Sequence, residues 1–356
     1  VTETVTAESV PTGAHSHLLR VLDVVEETHD ARSLVFEIPA EAKERFAYEP
    51  GQFLTLRIPS DQTGSVARCY SLSSSPHTDG VLKVTAKRTS DGYGSNWLCD
   101  HVTVGMTIEV LPPAGLFVPK SLDDDFLLLA AGSGVTPVMA ILKSALAKGD
   151  GQVVLLYANR DEKSVIFADE LRELAAEHPH RLRVIHWLES VQGLPSRAQL
   201  EELSRPFIGY QAFICGPGPF MDVATHALRE LGMDRHQIHV ELFKSLIGDP
   251  FAPTQQEVSA EDAGTAATVE VDLDGTVHSL EWPADTLLLD LLLEKGIDAP
   301  FSCRQGACSA CACIVKEGEV KMLVNEILDD QDLADGFVLA CQALPMTDTV
   351  KVTYSE

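Results

Sequence analysis

Four of the eight cysteines in this 356-residue chain fall between Cys303 and Cys313. Cys303, Cys308 and Cys311 stand at C-x4-C-x2-C, and Cys341 follows after 29 intervening residues. Thiolates at this spacing suit a [2Fe–2S] cluster. Four sulfurs must converge on a flat cluster whose sulfides also accept backbone N–H bonds, so the loop has to run close to it. Gly306, Ala307, Ser309 and Ala310 are small enough to permit that approach. A zinc site and a set of buried free thiols are the competing readings. Zinc sites usually pair two C-x2-C elements, and this loop has one. Cys313 fits no ligand position and reads as a small core residue of a strand.

The run Phe301-Ser302-Cys303-Arg304-Gln305-Gly306-Ala307-Cys308-Ser309-Ala310-Cys311 resembles the cluster loop of plant-type ferredoxins. Upstream, Arg68-Cys69-Tyr70-Ser71 resembles the R-x-Y-S signature of the ferredoxin-NADP reductase superfamily. That resemblance implies an Arg forked onto a flavin phosphate, a Tyr on the ring face and a Ser hydroxyl at flavin N5. Gly92, Gly94 and Ser95, in Gly92-Tyr93-Gly94-Ser95-Asn96-Trp97-Leu98, lie where the superfamily binds the diphosphate before a short helix, whose N-terminus attracts phosphate. Cys69 and Lys87 complete the flavin-side set, and Pro113 to Phe117 resembles the turn that closes the flavin barrel.

Ala130 to Pro137 carries Gly132 and Gly134 after an apolar run and before a helix, where a parallel sheet places a dinucleotide diphosphate. Pro137 replaces the third Gly of an ordinary Rossmann fingerprint. G-x-G-x-T-P, with Thr136, resembles the reductase superfamily's own loop instead. Thr136 is expected to cap the helix and Pro137 to take its first position. Cys215-Gly216-Pro217 matches the superfamily's C-G-P turn, which implies a Cys near the nicotinamide carbon, and Phe243 is a candidate shield for the flavin. Ser71 and Cys215 are thus the candidate catalytic residues. Glu189 follows a strand where NADP-type relatives carry a Ser-Arg pair, and a carboxylate repels a 2′-phosphate and suits a ribose hydroxyl. Arg160, after the preceding strand, pulls the other way. NADH is the expected donor.

The elements that must position these residues fall into three modules. Short strands separated by Pro and Gly turns over 17–119 suggest an antiparallel β-barrel for FAD, with FMN as the alternative flavin. Over 120–244 strand and helix alternate, which indicates a parallel α/β nucleotide domain: strands 126–131, 153–157, 182–188 and 212–215, with helices 167–176 and 220–231. Residues 245–267 are rich in Pro, Gln, Ala and acids and read as a linker. The stretch 268–356 reads as an α+β, β-grasp-like ferredoxin domain, with strands 269–273 and 277–282, a helix over 287–295 and a strand over 313–316.

A formal charge of −26 and a pI near 4.7 argue against nucleic-acid or anionic-membrane partners. No apolar run approaches a membrane span, and a cytoplasmic location is expected. Thr268 to Glu356 holds 17 Asp and Glu against 5 Lys and Arg, so a partner that docks there should be basic. The module order resembles reductase components of multicomponent Rieske oxygenases. The runs Gly51 to Pro59, Tyr157 to Arg160 and Asp298 to Phe301 are most similar to the actinobacterial 3-ketosteroid 9α-hydroxylase reductases. The resemblance implies hydride transfer from NADH to FAD, single-electron steps to the cluster, and export to a Rieske-type oxygenase in steroid or cholesterol degradation. A reductase for phenylacetyl-CoA epoxidase or an aromatic hydroxylase has the same module order. A non-catalytic redox-sensing module is the reading of another class.

Overall fold

The computed structural model describes residues 15–246, 248–251 and 258–354. The first module is built from β1 (His17–Thr28), β2 (Ala31–Phe36), β3 (Phe53–Ser60), β4 (Gly64–Ser71), β5 (Leu82–Lys87) and β6 (Thr107–Ala114). The strands pair antiparallel in the order β4-β3-β6-β1-β2-β5, and a Leu72–Val84 bridge joins the two ends into a barrel. Alternation does the sorting. Leu54, Leu56 and Ile58 of β3, Leu34 and Phe36 of β2, and Val84 of β5 fill the interior. Helix α1 (Tyr93–His101) lies across the barrel and buries Leu98 and Cys99.

The second module is a five-stranded parallel sheet: β7 (Phe126–Ala131), β8 (Val153–Asn159), β9 (Leu182–Leu188), β10 (Gln211–Cys215) and β11 (Ile238–Glu241), in the order β11-β10-β7-β8-β9. β7 is apolar along its whole length because it is covered on both faces. Phe126, Leu128 and Ala130 meet α2 (Val135–Lys148) and α3 (Ala168–Glu177). Leu127 and Leu129 face the side covered by α5 (Arg197–Ser204) and α6 (Gly218–Glu230), with the one-turn α4 (Glu189–Gln192) after β9. The chain runs from β7 outward to β9 and then returns to β10 on the other side of β7. The strand order therefore reverses between β7 and β10, and a crevice opens at their C-terminal ends.

The third module is a mixed sheet of β12 (Ala267–Leu273), β13 (Thr276–Trp282), β14 (Ala312–Glu317), β16 (Phe337–Leu339) and β18 (Thr349–Thr353), in the order β13-β12-β18-β14-β16. A small ladder of β15 (Val320–Met322) and β17 (Ala343–Pro345) stands beside it. α7 (Leu288–Glu294) buries Leu288, Leu289, Leu291 and Leu292 against the sheet, and the short α8 (Asp330–Ala334) begins with an Asp329 capping box.

Two expectations change. The segment read as a linker is anchored at both ends. Leu246 and Phe251 are buried with Ala67, Leu111 and the core of the third module, and Gly264 and Thr265 donate backbone hydrogen bonds to Ala284 and Pro345. Residues 247 and 252–257 of the expected linker lie outside the described residues. Thr136 does not cap α2: the helix starts at Val135 with Gly134 as N-cap, and the Thr136 hydroxyl donates to the Ser133 carbonyl (3.0 Å). A preceding 3-10 turn, Gly132–Gly134, delivers the chain into the helix two residues earlier than the Thr-Pro pair suggests, which leaves Pro137 third in the helix and not first. Among the described residues no helix is long and apolar enough to cross a membrane.

Candidate functional site

The cysteine loop connects α7 to β14. Its path depends on two positive-φ residues, Arg304 (φ 56°) and Gly306 (φ 72°). Gly306 is required: a Cβ there would stand 2.6 Å from the Val324 carbonyl oxygen. Cys303, Cys311 and Cys341 are buried, while Cys308 is half-buried. Their side chains come within hydrogen-bonding reach in the chain Cys308–Cys303–Cys341–Cys311. The Gln305 backbone N–H donates to Cys303 Sγ (3.3 Å). Hydrogen bonds from Cys308 and Cys341 hold the Cys303 thiol low. Four sulfurs, a backbone donor and a loop with no room for a side chain at Gly306 fit a [2Fe–2S] group. Cys313 stands apart, pairing with Val338 across β14 and β16, and burial pushes its thiol up.

On the flavin side, β4 sorts its signature residues onto two faces. Arg68 and Gly94 touch: a Cβ on Gly94 would lie 2.8 Å from Arg68 Cγ, so the guanidinium stem packs into the start of α1 beside Gly92 and Ser95. The Arg68 head donates to the carbonyls of Ala67 (2.7 Å) and Leu246 (3.2 Å). Ser95 Oγ accepts from the Thr89 amide (3.2 Å) and steadies the turn. An Arg beside the open N-terminus of a helix fits a phosphate. Tyr70 is half-buried against the barrel core, and burial pushes its phenol up. Cys69 and Ser71, two residues apart, face the other way, into a cavity of about 1320 Å³ between the modules.

On the nucleotide side, the two glycine turns close on each other. A Cβ on Gly134 would fall 2.1 Å from the Cys215 carbonyl oxygen, and one on Gly216 would meet Ala131 at 2.9 Å. The glycines at the ends of β7 and β10 therefore hold the crevice floor at backbone contact, with Pro217 as the N-cap of α6. Lys87, at the end of β5, reaches this floor from the barrel. Its Nζ lies 3.8 Å from where a Gly132 Cβ would be, and 4.0 Å from Asp30. Asp30 also holds Arg160 (2.6 Å), which draws that guanidinium toward the barrel. Glu189 is exposed at the start of α4, beyond edge strand β9 and two strands out from β7. Cys215 is fully buried, and burial together with the nearby Glu241 carboxyl pushes its thiol well up.

The large cavity joins two groups of these residues. Ser71, Cys69 and Phe243 line it from the reductase modules, and Ala307, Cys308, Ser309 and Ala310 line it from the cysteine loop. Arg68, Tyr70, Lys87, Gly132, Gly134, Glu189 and Cys215 do not. Phe243 is 44% exposed, so it is not a core residue. Sequence reasoning passed over Glu241. It sits in register with Cys215 on β11, lines the cavity, and burial raises its carboxyl to about 8. The sequence carried little signal for it: β11 reads Ile238-His239-Val240-Glu241, and only strand pairing brings Glu241 beside Cys215.

Comparisons with known proteins agree with this layout. Family models match residues 18–118 as an oxidoreductase FAD-binding domain, 128–226 as an oxidoreductase NAD-binding domain and 271–346 as a 2Fe-2S iron-sulfur cluster binding domain. The 3-ketosteroid-9-alpha-monooxygenase ferredoxin reductase component of Rhodococcus rhodochrous is 61% identical over 98% of this chain and 100% of its own length. That of Mycolicibacterium smegmatis is 62% identical over 97% of this chain and 99% of its own length. The chain belongs to this family of ferredoxin reductase components. A 1,2-phenylacetyl-CoA epoxidase component from Escherichia coli is more distant, at 35% identity over 95% of this chain and 97% of its own length. The crystal structure of phthalate dioxygenase reductase shares the three-module fold, with a TM-score of 0.55 and 23% identity over 95% of this chain and 98% of that one. As a member of the family the chain is an oxidoreductase with FAD-binding, NAD-binding and [2Fe–2S] domains.

Proposed function

We propose that this chain is the NADH-dependent reductase of a 3-ketosteroid 9α-monooxygenase and delivers electrons to a Rieske-type terminal oxygenase. The observation that carries the reading is identity of 58–62% over at least 97% of the chain to reductase components so named, against 35% for the epoxidase component. A cytoplasmic setting follows from the reducing surroundings such a thiolate set needs. When bound, the flavin accepts two electrons together and releases them singly, the conversion a nicotinamide donor and a one-electron cluster require.

The remaining roles belong to the chain's own groups. Arg68 and the start of α1, with Gly92, Gly94 and Ser95, hold the flavin phosphates, and Tyr70 and Ser71 meet the ring. Gly132, Gly134 and Gly216 keep the crevice open for the nicotinamide nucleotide, whose diphosphate Lys87 approaches from the barrel. Cys215, a neutral thiol, packs at the nicotinamide, and Glu241, protonated below about pH 8, adds no charge there until it titrates. Glu189 excludes a 2′-phosphate while Asp30 occupies Arg160. Cys303, Cys308, Cys311 and Cys341 ligate the cluster.

The test is reconstitution with the terminal oxygenase of a 3-ketosteroid 9α-monooxygenase. NADH oxidation should be coupled to appearance of the 9α-hydroxylated ketosteroid. Coupling to the phenylacetyl-CoA epoxidase proteins, with none to the steroid oxygenase, would move the chain to the second reading.

A further inference from the structure

The cysteine loop does not face solvent with its half-buried edge. Cys308 and Ala310 pack against Cys69, Phe53 and Ala114 of the barrel. At the centre of that contact lies a ring of three small polar side chains. Thr55 and Cys69 are register partners across β3 and β4, and Ser302 immediately precedes ligand Cys303. Thr55 Oγ1 and Ser302 Oγ are 2.8 Å apart, Cys69 Sγ and Ser302 Oγ 3.4 Å, and Thr55 Oγ1 and Cys69 Sγ 3.7 Å. Thr55 and Ser302 are each 1% exposed. Hydroxyls shut away from water at a boundary between modules are costly unless they bond each other, so the ring is satisfied only when the two modules are docked in this register. β4 then carries the contact onward: Ser71, two residues beyond Cys69, faces the same cavity.

We propose that Thr55, Cys69 and Ser302 are positioning residues for electron transfer within the chain, locking the cluster loop onto the strand that presents Ser71 to the flavin. The inference rests on the functional reading above. In the step they serve, one electron leaves the reduced flavin and one ferric iron of the cluster becomes ferrous. No atom passes between them and the flavin's proton goes to solvent; the step occurs twice per hydride, the cluster giving its first electron to the outside acceptor before it takes the second.

Ser302→Ala and Thr55→Val each remove a hydroxyl of the ring, from opposite sides of the boundary. Anaerobic stopped flow with NADH separates flavin reduction from cluster reduction, and hydrogen exchange on the same holoprotein reports docking independently of turnover. Each variant should reduce its flavin at the wild-type rate but pass electrons to the cluster about tenfold more slowly, the effect of one to two buried hydrogen bonds. Backbone protection of β3 and of residues 303–312 should fall by a similar factor, while β7 to β10 keep theirs. Thr55→Ser, which restores the hydroxyl, should recover both. Wild-type transfer and protection in both variants would overturn the proposal, as would an effect confined to Ser302→Ala. A wild-type cluster that NADH never reduces would instead overturn the functional reading.

Discussion

Where the barrel meets the nucleotide module, Lys143 of α2 is only 5% exposed and bonds Asp79 of the barrel and Glu170 of α3 (2.9 Å), with Lys83 on the same Glu170 (3.3 Å). Ser75 and Ser144 share a buried hydrogen bond of 2.8 Å beside it. Where the reductase modules meet the ferredoxin module, the ion pairs stand at the rim. Arg235 bonds Asp329, Lys244 bonds Glu326 (3.3 Å) and Arg45 bonds Asp298, all with solvent-exposed partners. The direct contact inside that boundary, around Thr55, Cys69 and Ser302, is uncharged. The difference matches what crosses each boundary. Hydride transfer needs two bound rings in van der Waals contact, which calls for a rigid joint. An electron crosses a gap, and a module that must also serve an outside acceptor is held by contacts that water and salt can loosen.

The largest expected effect comes from breaking the rigid joint. Lys143→Met leaves Asp79 without its cation and Glu170 with Lys83 alone, and should lower unfolding stability by about 3 kcal/mol, discounted for the partial exposure of both acids. Asp329→Asn at the rim should cost less than about 1 kcal/mol. Chemical denaturation of the two variants checks the contrast, and equal losses would erase it. Raising NaCl from 0.1 to 1 M shortens the screening length from about 10 to about 3 Å. With three rim pairs weakened, flavin-to-cluster transfer should slow roughly fivefold while reduction of the flavin by NADH changes less.

Asp30→Asn sharpens the comparison from the rigid side by releasing Arg160 from the barrel. The guanidinium is then free for a 2′-phosphate, and kcat/KM for NADPH should rise by roughly fivefold, about 1 kcal/mol. No gain would mean that Asp30 does not restrain Arg160. The smallest effect is a pH slope. Burial raises the Glu241 carboxyl to about 8, above its unfolded value, so the folded protein binds the extra proton between about pH 4.5 and 8. Stability should therefore fall as pH rises through that window, and Glu241→Gln should flatten the slope in thermal melts.

Much of the layout was legible because its signals are local. The alternation in β2 and β3, the apolar run of β7 and the Asp274-Gly275 turn between β12 and β13 each report on their own neighbours. The cysteine spacing does the same, since its first three members lie in one loop. Contacts that join modules were not legible. Cys69 looked like part of a flavin signature because nothing in Arg68-Cys69-Tyr70-Ser71 says that residue 302 will come to lie against it. Leu246 and Phe251 are too widely spaced within a Pro-rich stretch to show a period, yet both are buried by chain more than 15 residues away. Thr136 lost its expected cap role to a contact distant in sequence, since Gly134 must pass at backbone contact with Cys215 and this sets where α2 begins.

The central claim is that one chain takes hydride from NADH and hands on single electrons through its own cluster. The direct measurement is anaerobic NADH reduction of wild type and Cys308→Ser, followed in the flavin band and by electron paramagnetic resonance of the reduced cluster. Wild type should bleach its flavin and then show the cluster signal. Cys308→Ser should bleach its flavin as fast, show no cluster signal and fail to reduce the oxygenase. A Cys308→Ser protein that feeds the oxygenase at the wild-type rate, or a wild type whose cluster stays oxidised after the flavin is reduced, would contradict the account.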